Sequence, residues 1–265
     1  MAQTINTNLV SLNAQRNLSM SQNSLATSMQ RLSSGLRVNS AKDDAAGLAI
    51  ASGMESQARG MNVAIRNAND GISFAQTADG ALATVTDALQ RMRELAVQGA
   101  TAGTDNAKLD AEYQQLSAQI TDIAAQTKFN GVALIGAGAG SLTFQVGANV
   151  GDTLTITTNT ITTVAGDLTS QANANTALGA IDAKLGTINT DRATYGAAMN
   201  RMSFTVQNLQ IAGENQTAAR ARIMDADFAA ETSNLSRAQV LQQAGNAMVA
   251  QANALPQQVL KLLQG

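Results

Sequence analysis

The sequence lacks the two residue types that most often bind metals or activate nucleophiles. Its 265 residues include no cysteine and no histidine. Most zinc sites, Ser–His and Cys–His nucleophiles and imidazole acid–base catalysis are therefore excluded, and no disulfide can form. Chemistry based on paired carboxylates or lysine stays open in principle. This inventory favours a protein that is not an enzyme and carries no metal or cofactor.

Charge, aromatic residues and long apolar runs are also scarce. Lys+Arg 17 against Asp+Glu 19 gives a formal net charge of -2, which argues against nucleic-acid binding and against a polybasic membrane surface. No apolar run approaches the length of a membrane span. Residues 1–6 lack the basic and apolar regions of a secretory signal, so we expect none. By itself, this composition favours a cytoplasmic protein.

Apolar residues recur at heptad spacing in five segments, a pattern typical of long helices packed side by side. Aromatic residues make up only 3% of the chain, so Ala, Leu, Ile, Val and Met must fill these helix contacts. Asp79 interrupts the second segment and Arg192 the fourth, and we expect Arg192 to reach solvent or pair with a carboxylate. The five segments are Leu18, Leu25, Met29, Leu32 and Leu36; Met61, Ile65, Ala68, Ile72, Ala75 and Leu82; Leu109, Tyr113, Leu116, Ile120 and Ile123; Ile181, Leu185, Ile188, Tyr195, Met199, Met202, Val206 and Leu209; and Ala238, Leu241, Gly245, Met248, Ala252, Leu255, Val259 and Leu262.

The composition changes between the third and fourth segments. Residues 129–181 contain only two charged residues, both aspartates. Apolar and polar residues alternate over 142–146 and again over 154–156, on either side of a turn at 147–151, which predicts a β-hairpin within about 131–165. The glycine-rich run at 136–140 lacks the Gly-Lys-Ser/Thr ending of a phosphate loop.

Two short breaks divide the helical parts. Gly35 is placed to end the first helix, and Ser40 to cap the next, with Asp43 and Asp44 in its first turn. Asp225 and Asp227 are placed to start the last helix, an interpretation that we favour over a metal-ligand pair. The element order is nearly mirrored about the hairpin. We therefore predict a mainly α fold: a long antiparallel helical bundle or coiled coil with a small β-hairpin region, and with its N- and C-terminal helices paired.

The two ends of the chain are almost uncharged. Residues 1–30 contain one charge, Arg16, and residues 238–265 contain one, Lys261. Two paired helices of this kind bury little area and would be marginal in isolation. We infer that these ends become ordered against other copies of the chain. The candidate self-assembly residues are Leu18, Leu25, Met29, Leu32, Leu241, Met248, Leu255, Val259 and Leu262.

Several long motifs resemble the signatures of bacterial flagellins. Residues 31–50, 66–73 and 89–98 resemble the N-terminal signature, and residues 236–239, 242–245, 250–253 and 256–263 resemble the C-terminal one. The resemblance implies a subunit that self-assembles into the helical flagellar filament for swimming. It also implies an inner domain of residues 1–40 plus 226–265, which lines the filament channel, and a rod domain of residues 41–225. The stretch 165–177 is too short for a large outer domain, so the resemblance is to a minimal flagellin.

The resemblance also implies a location and partners. Flagellins leave the cell through the flagellar type III export apparatus, so an extracellular filament replaces the cytoplasmic interpretation. The implied partners are further copies of the chain, an export chaperone, and the cap and hook-junction proteins. Once exposed, the Ser- and Thr-bearing stretch 153–170 offers acceptors for O-linked glycans. A hook–filament junction protein is the alternative identity, and a flagellin with an inserted zinc protease is excluded by the absence of histidine.

Four residues match flagellin positions that contact Toll-like receptor 5 of animal hosts. They are Gln90, Arg91, Leu95 and Glu112. Without the resemblance, the charges in this stretch would be interpreted as an ordinary solvated helix face. With it, we expect the monomer to be recognised by the receptor.

Overall fold

The computed structural model describes the backbone of residues 7–264 and the side chains of residues 7–254. The described residues form five α-helices and two antiparallel strand pairs, which confirms the predicted mainly α class. The helices are α1 (Leu9–Ser34), α2 (Ala45–Gly99), α3 (Asn106–Gln126), α4 (Gln171–Met224) and α5 (Phe228–Gln264). The strands are β1 (Lys128–Phe129), β2 (Val132–Ala133), β3 (Leu142–Gln145) and β4 (Thr153–Ile156).

The chain packs as two compact units. The terminal unit comprises residues 1–55 and 216–265, and the central unit comprises residues 56–215. Helices α2 and α4 contribute residues to both units. The assembly domains expected from the resemblance, with their borders at 40/41 and 225/226, are a different kind of division and remain a prediction.

The two breaks in the helical pattern pair with each other in the terminal unit. Gly35 ends α1 in the left-handed conformation, with φ 71°, and its N–H donates to the carbonyl of Arg31. Arg37 N–H donates to the carbonyl of Met224 at 2.6 Å, and Ala226 N–H donates to the carbonyl of Gly35 at 2.9 Å. Backbone groups that the helix ends leave free are thus satisfied across the chain. This pairing explains the mirrored order of the sequence.

The helix that follows the first break is capped by a different residue from the one predicted. The prediction that Ser40 caps α2, with Asp43 and Asp44 in its first turn, is wrong. Helix α2 begins at Ala45, and Asp44 Oδ1 accepts the N–H of Gly47 at 2.8 Å. The Ser40 hydroxyl instead donates to Asp43 at 3.0 Å, a contact that lowers the pKa of that carboxyl. Aspartate caps a helix as well as serine does, so the sequence pattern alone could not choose between them.

The start of the last helix agrees with the sequence at one of its two predicted positions. Asp227 Oδ1 accepts the N–H groups of Ala229 and Ala230 at 2.9 and 3.1 Å, which caps α5. Asp225 instead lies in an isolated β-bridge with Leu36. Asp227 therefore caps the helix, while the backbone of Asp225 joins the two breaks through its bridge with Leu36.

In the central unit the apolar positions of the second, third and fourth heptad segments are buried or partly buried. Tyr113, Tyr195, Leu82 and Leu89 are among its largest fully buried side chains. The residues that interrupt two of these segments meet, because Arg192 Nε donates to Asp79 Oδ1 at 2.7 Å. The expectation that Arg192 pairs with a carboxylate is confirmed. Its hydrogen bond to Asp79 raises the pKa of the guanidinium.

The predicted hairpin is formed by β3 and β4, which pair from Leu142 with Ile156 to Gln145 with Thr153. It packs closely on α2 at Gly71, where an added Cβ would lie 3.3 Å from Phe144 Cγ. The ring of Phe74 contacts the ring of Phe144 edge-on at a centroid distance of 5.7 Å. Strands this short depend on such packing against a helix for stability.

The sequence pattern did not predict the pair of two-residue strands, β1 and β2. They are joined by Asn130 and Gly131, which both have positive φ, 49° and 81°. An Asn-Gly dipeptide is the usual sequence of a two-residue hairpin turn. The signal was therefore present in the sequence, although the strands themselves are too short to show alternation.

Candidate functional site on the terminal helices

Helices α1 and α5 lie antiparallel, with polar contacts at both ends of the pair. At one end Asn8 Nδ2 donates to the carbonyl of Ala252, and the Ser11 hydroxyl donates to Asn253 Oδ1, each at 2.7 Å. At the other end Arg31 Nη1 lies 3.7 Å from Glu231 Oε2. These contacts fix the register of the two helices and confirm that the chain ends pair.

The line of contact between the two helices, hereafter the seam, is built from small residues. Its buried small members are Ser11, Ser28, Ala238 and Ala252, and the carboxylate residue Glu231 is buried beside them. At Gly245 the helices approach so closely that an added Cβ would lie 3.2 Å from Leu18 Cδ1. Small side chains bring the backbones together but bury little apolar area. The pairing of α1 with α5 therefore gives a defined geometry with only modest stability.

Among the described side chains of these helices, nine large apolar ones stay exposed. Their exposed fractions run from 49% to 67%. This exposed apolar set consists of Leu9, Val10, Leu12, Met20, Met29, Phe228, Val240, Leu241 and Met248. A groove of about 600 Å³, lined by Leu9, Leu18, Leu241 and Met248 among others, runs between the helices. These exposed apolar side chains make the terminal helices a candidate interaction surface.

The predicted self-assembly residues fall into three groups. Leu18, Leu25 and Leu32 are half-buried on α1. Met29, Leu241 and Met248 belong to the exposed apolar set. The side chains of Leu255, Val259 and Leu262 lie outside the described residues, although the backbone there continues α5. The sequence pattern did not identify Leu9, Val10 or Phe228, because an exposed apolar residue outside a heptad position gives no periodic signal.

One ion pair at the seam is unevenly buried. The Glu231 side chain is 10% exposed and that of Arg31 is 32% exposed. Removing the arginine would leave a nearly buried carboxylate without its cationic partner, which is more costly than the pair itself is stabilising. The pair therefore penalises other alignments of α1 against α5.

The four predicted receptor residues lie in the central unit, and two of them, Arg91 and Glu112, contact each other. Gln90 and Arg91 are exposed on α2, and Glu112 is partly exposed on α3. Arg91 Nε donates to Glu112 Oε1, and Arg91 Nη1 donates to Glu94 Oε2, each at 2.9 Å. These bonds, first of all the one to Glu112, raise the pKa of Arg91. The result is a charged patch, a cation held between two carboxylates.

The fourth receptor residue is placed differently from the other three. Leu95 is only 2% exposed and lies in the helical core of the central unit. In this structure its side chain positions α2 and does not add to the surface. The neighbouring Arg93 Nε donates to Asp182 Oδ1 at 2.7 Å, an ion pair that lowers the pKa of that carboxyl.

Within the part of the chain that the structure describes, no three acidic side chains are grouped so that they could hold a metal ion. Among the same residues, none of the helices combines the length and apolar character needed to cross a membrane. The described residues present two candidate surfaces: apolar side chains on the terminal helices, and a charged patch on α2 and α3.

Comparison with known proteins shows similarity to bacterial flagellins over nearly the whole chain. The family description "Bacterial flagellin N-terminal helical region" matches residues 5–138, and "Bacterial flagellin C-terminal helical region" matches residues 178–263. The flagellin of Halalkalibacterium halodurans is 44% identical, over 98% of this chain and 99% of its own length. That of Bacillus subtilis is 37% identical over 98% and 99%.

A solved structure shares the fold. The crystal structure of Bacillus cereus flagellin matches at a TM-score of 0.50 and 35% identity, over 54% of this chain and 88% of that one. The stretch between β4 and α4 is short, and no large outer domain is inserted there. The family models and the near full-length relatives together establish that this chain belongs to the bacterial flagellins, the structural subunits of the flagellar filament.

Proposed function

We propose that this chain assembles by burying the exposed apolar set of α1 and α5 against the same helices of neighbouring copies. The observation that carries this proposal is the exposure of nine large apolar side chains on the two least charged helices. Because these helices bear few charges, many copies can crowd together with little electrostatic repulsion.

The size of the exposed apolar set matches what polymerisation requires. Full burial of one large apolar side chain contributes about 1.5–3 kcal/mol. Burying the exposed parts of nine such side chains would contribute on the order of 10 kcal/mol per subunit. Association costs roughly 4–15 kcal/mol in lost motion. The gain from burying the whole set among several neighbours is therefore comparable to this cost, whereas contact with one neighbour through part of the set falls short of it.

The distribution of the exposed apolar set favours a polymer over a dimer. A helix turns by about 100° per residue, so Leu9 and Met29 point to nearly opposite sides of α1. Both are more than half exposed. One partner cannot cover opposite sides of a helix pair, but the several neighbours of a subunit in a helical filament can.

This mode of assembly places the chain in an extracellular flagellar filament that serves swimming, reached by flagellar type III export. An export chaperone would cover the exposed apolar set before secretion, and the cap and hook-junction proteins would contact it at the two ends of the filament. The terminal helices would form the inner domain of that filament, about residues 1–40 and 226–265, and residues 41–225 its rod.

Seeded polymerisation tests the proposal. Purified full-length chain, incubated with filament fragments, should extend them into long tubes visible by electron microscopy. A chain lacking residues 1–30 and 238–265 should stay monomeric, while circular dichroism checks that its central helices are folded. If the full-length chain fails to extend the seeds, the proposal is wrong and the junction-adaptor alternative gains support. If the truncated chain polymerises normally, the terminal helices are not the assembly element.

A second proposed function concerns the charged patch. Gln90, Arg91 and Glu112 would contact Toll-like receptor 5, with Leu95 fixing the position of α2 beneath them. The support is that Arg91 is already held by Glu112 and Glu94. A rigid, preorganised arginine loses less side-chain entropy on binding.

The chain offers a matched control for this second proposal. Arg91→Ala should weaken signalling by monomers in cells that express the receptor, by tenfold or more, as expected for an interface arginine. Arg93→Ala removes a neighbouring arginine with its own ion pair and should have a smaller effect. Equal signalling by the Arg91→Ala and unaltered chains would contradict the proposed contact.

A further inference from the structure

Methionine is the residue type of this chain that mild oxidants can reach. The sequence contains ten methionines but no cysteine, histidine or tryptophan. Both tyrosines, Tyr113 and Tyr195, are at most 1% exposed. A hydroperoxide acting on the folded chain therefore meets thioether sulfur before any other readily oxidised group.

The exposed methionines are concentrated on the terminal helices. Among the described residues Met20, Met29 and Met248 are 55–60% exposed, and all three lie on α1 or α5. Met92 and Met202, in the central unit, are 0% exposed. Oxidation of methionine depends on access to the sulfur, so the first sulfoxides should form on the terminal helices.

These methionines lie on the surface proposed for assembly. Met248 lines the groove of about 600 Å³ together with Leu9 and Leu241. Met20 lines a second groove, of about 790 Å³, whose lining also includes Leu241. Both grooves border the seam between α1 and α5, so oxidation would change the character of the surfaces that neighbouring copies must cover.

We propose that Met20, Met29 and Met248 form an oxidation-sensitive site that controls whether a free subunit can join the filament. The inference rests on the proposed mode of assembly. In the reaction the thioether sulfur donates an electron pair to one peroxide oxygen. The O–O bond breaks as the S–O bond forms, and the departing hydroxide takes the proton of the oxygen now bound to sulfur. The sulfur is thereby oxidised to a sulfoxide, and hydrogen peroxide is reduced to water.

The effect on assembly follows from polarity. A sulfoxide replaces an apolar thioether with a strongly polar acceptor, and burying such a group without a hydrogen-bond donor is unfavourable. Once the filament has formed, the same sulfurs are covered by neighbouring copies. Free subunits are therefore sensitive to peroxide, whereas assembled filaments are protected. Methionine sulfoxide reductases, which return the sulfur to a thioether, make the change reversible.

Peroxide treatment of full-length chain, followed by seeded polymerisation, tests this inference. Mass spectrometry maps the sulfoxides, and the concentration of unpolymerised chain at equilibrium reports the affinity of a subunit for the filament end. In free subunits the three exposed methionines should be oxidised before Met92 and Met202. This should raise the equilibrium concentration about tenfold or more, because each unpaired buried polar group weakens association. Preformed filaments given the same dose should carry few sulfoxides at the three positions.

The matched control is the variant Met20→Leu/Met29→Leu/Met248→Leu, which keeps the apolar volume but cannot be oxidised there. It should polymerise to the same extent with and without peroxide. Reduction of the oxidised wild-type chain by methionine sulfoxide reductases should restore assembly, and this arm decides the matter if the leucine variant does not polymerise even untreated. The inference is overturned if wild-type chain with all three sulfoxides polymerises normally, or if the reduced chain does not recover. Failure of untreated wild-type chain to polymerise would instead contradict the proposed function.

Discussion

Truncating two leucines of the exposed apolar set should weaken assembly without unfolding the monomer. In the double variant Leu9→Ala/Leu241→Ala, each change removes three carbons, whose burial contributes about 0.8 kcal/mol each. Leu9 is 67% and Leu241 50% exposed in the free chain. Roughly these fractions of each side chain remain to be buried on assembly. The two truncations together should therefore make the addition of one subunit to the filament less favourable by about 2–3 kcal/mol.

This magnitude sets the size of the measured effect. A loss of about 2–3 kcal/mol should raise the concentration of unpolymerised chain at equilibrium by roughly 30- to 150-fold. Sedimentation after seeded growth measures that concentration directly. The thermal melting curve of the monomer, followed by circular dichroism, should move little, because side chains that are already half exposed contribute less to its folding.

A polar double variant on the same two helices is the matched control. Ser19→Ala/Gln243→Ala removes two exposed side chains of low apolar content and should change the equilibrium concentration by less than about threefold, as expected for surface positions. If the leucine variant polymerised within twofold of the wild type while its melting curve was unchanged, burial of these side chains between copies would be refuted.

Three further predictions concern the central unit. A double-mutant cycle with Asp79→Leu and Arg192→Leu, followed by chemical denaturation, should give a coupling energy of about 0.5–1 kcal/mol. The value is small because both side chains are about one-third exposed. A coupling energy of zero would show that this ion pair does not stabilise the fold. Gly136→Ala should lower the midpoint of thermal unfolding, because its Cβ would lie 2.3 Å from a backbone carbonyl oxygen of α3. Gly80→Ala has open space around it and should raise the midpoint through a gain of about 1 kcal/mol in stability. A shift of the same sign at both positions would contradict this packing. Burial raises the pKa of Tyr195 from 10.0 to about 12. The stabilising contribution of its buried phenol is therefore complete below pH 10 and is lost as the pH rises towards 12. Tyrosinate absorbance should appear together with loss of helical ellipticity, and ionisation in a fully helical chain would contradict the burial.

The sequence predicted the helices well because apolar periodicity is a local property. It also marked Asp79 and Arg192 as exceptions in two different segments. It could not show that these residues meet, since the alignment of α2 against α4 depends on packing along their whole length. The structure supplies this alignment, and the two exceptions turn out to bind each other at 2.7 Å.

The details of helix ends and short strands were harder to predict. Ser40 and Asp44 are both good capping residues. In the structure α2 begins directly after Asp44. The strands β1 and β2 contain two residues each, too few for an alternating pattern. In both cases tertiary contacts selected among local conformations of similar energy.

The sequence indicated that the terminal helices form the candidate site, but it did not identify all of the side chains involved. Low charge in residues 1–30 and 238–265 pointed to contacts with other copies. Heptad spacing then selected Leu18 and Leu25, which the structure shows half-buried on α1. It missed Leu9 and Phe228, which are exposed. Burial within one chain and burial between chains give the same hydrophobic pattern, and only the structure of the folded chain separates them.

The most direct test of the central claim is a measurement of accessibility in the filament. Because the chain has no cysteine, Val10→Cys would introduce a single thiol of similar volume at a position that is 55% exposed and lines the groove. If the chain assembles through its terminal helices, a thiol reagent should label this residue rapidly in monomers, hardly at all in filaments, and rapidly again after the filaments are depolymerised. Equal labelling rates in monomers and filaments would show that this surface stays open to solvent, and would contradict assembly through the terminal helices.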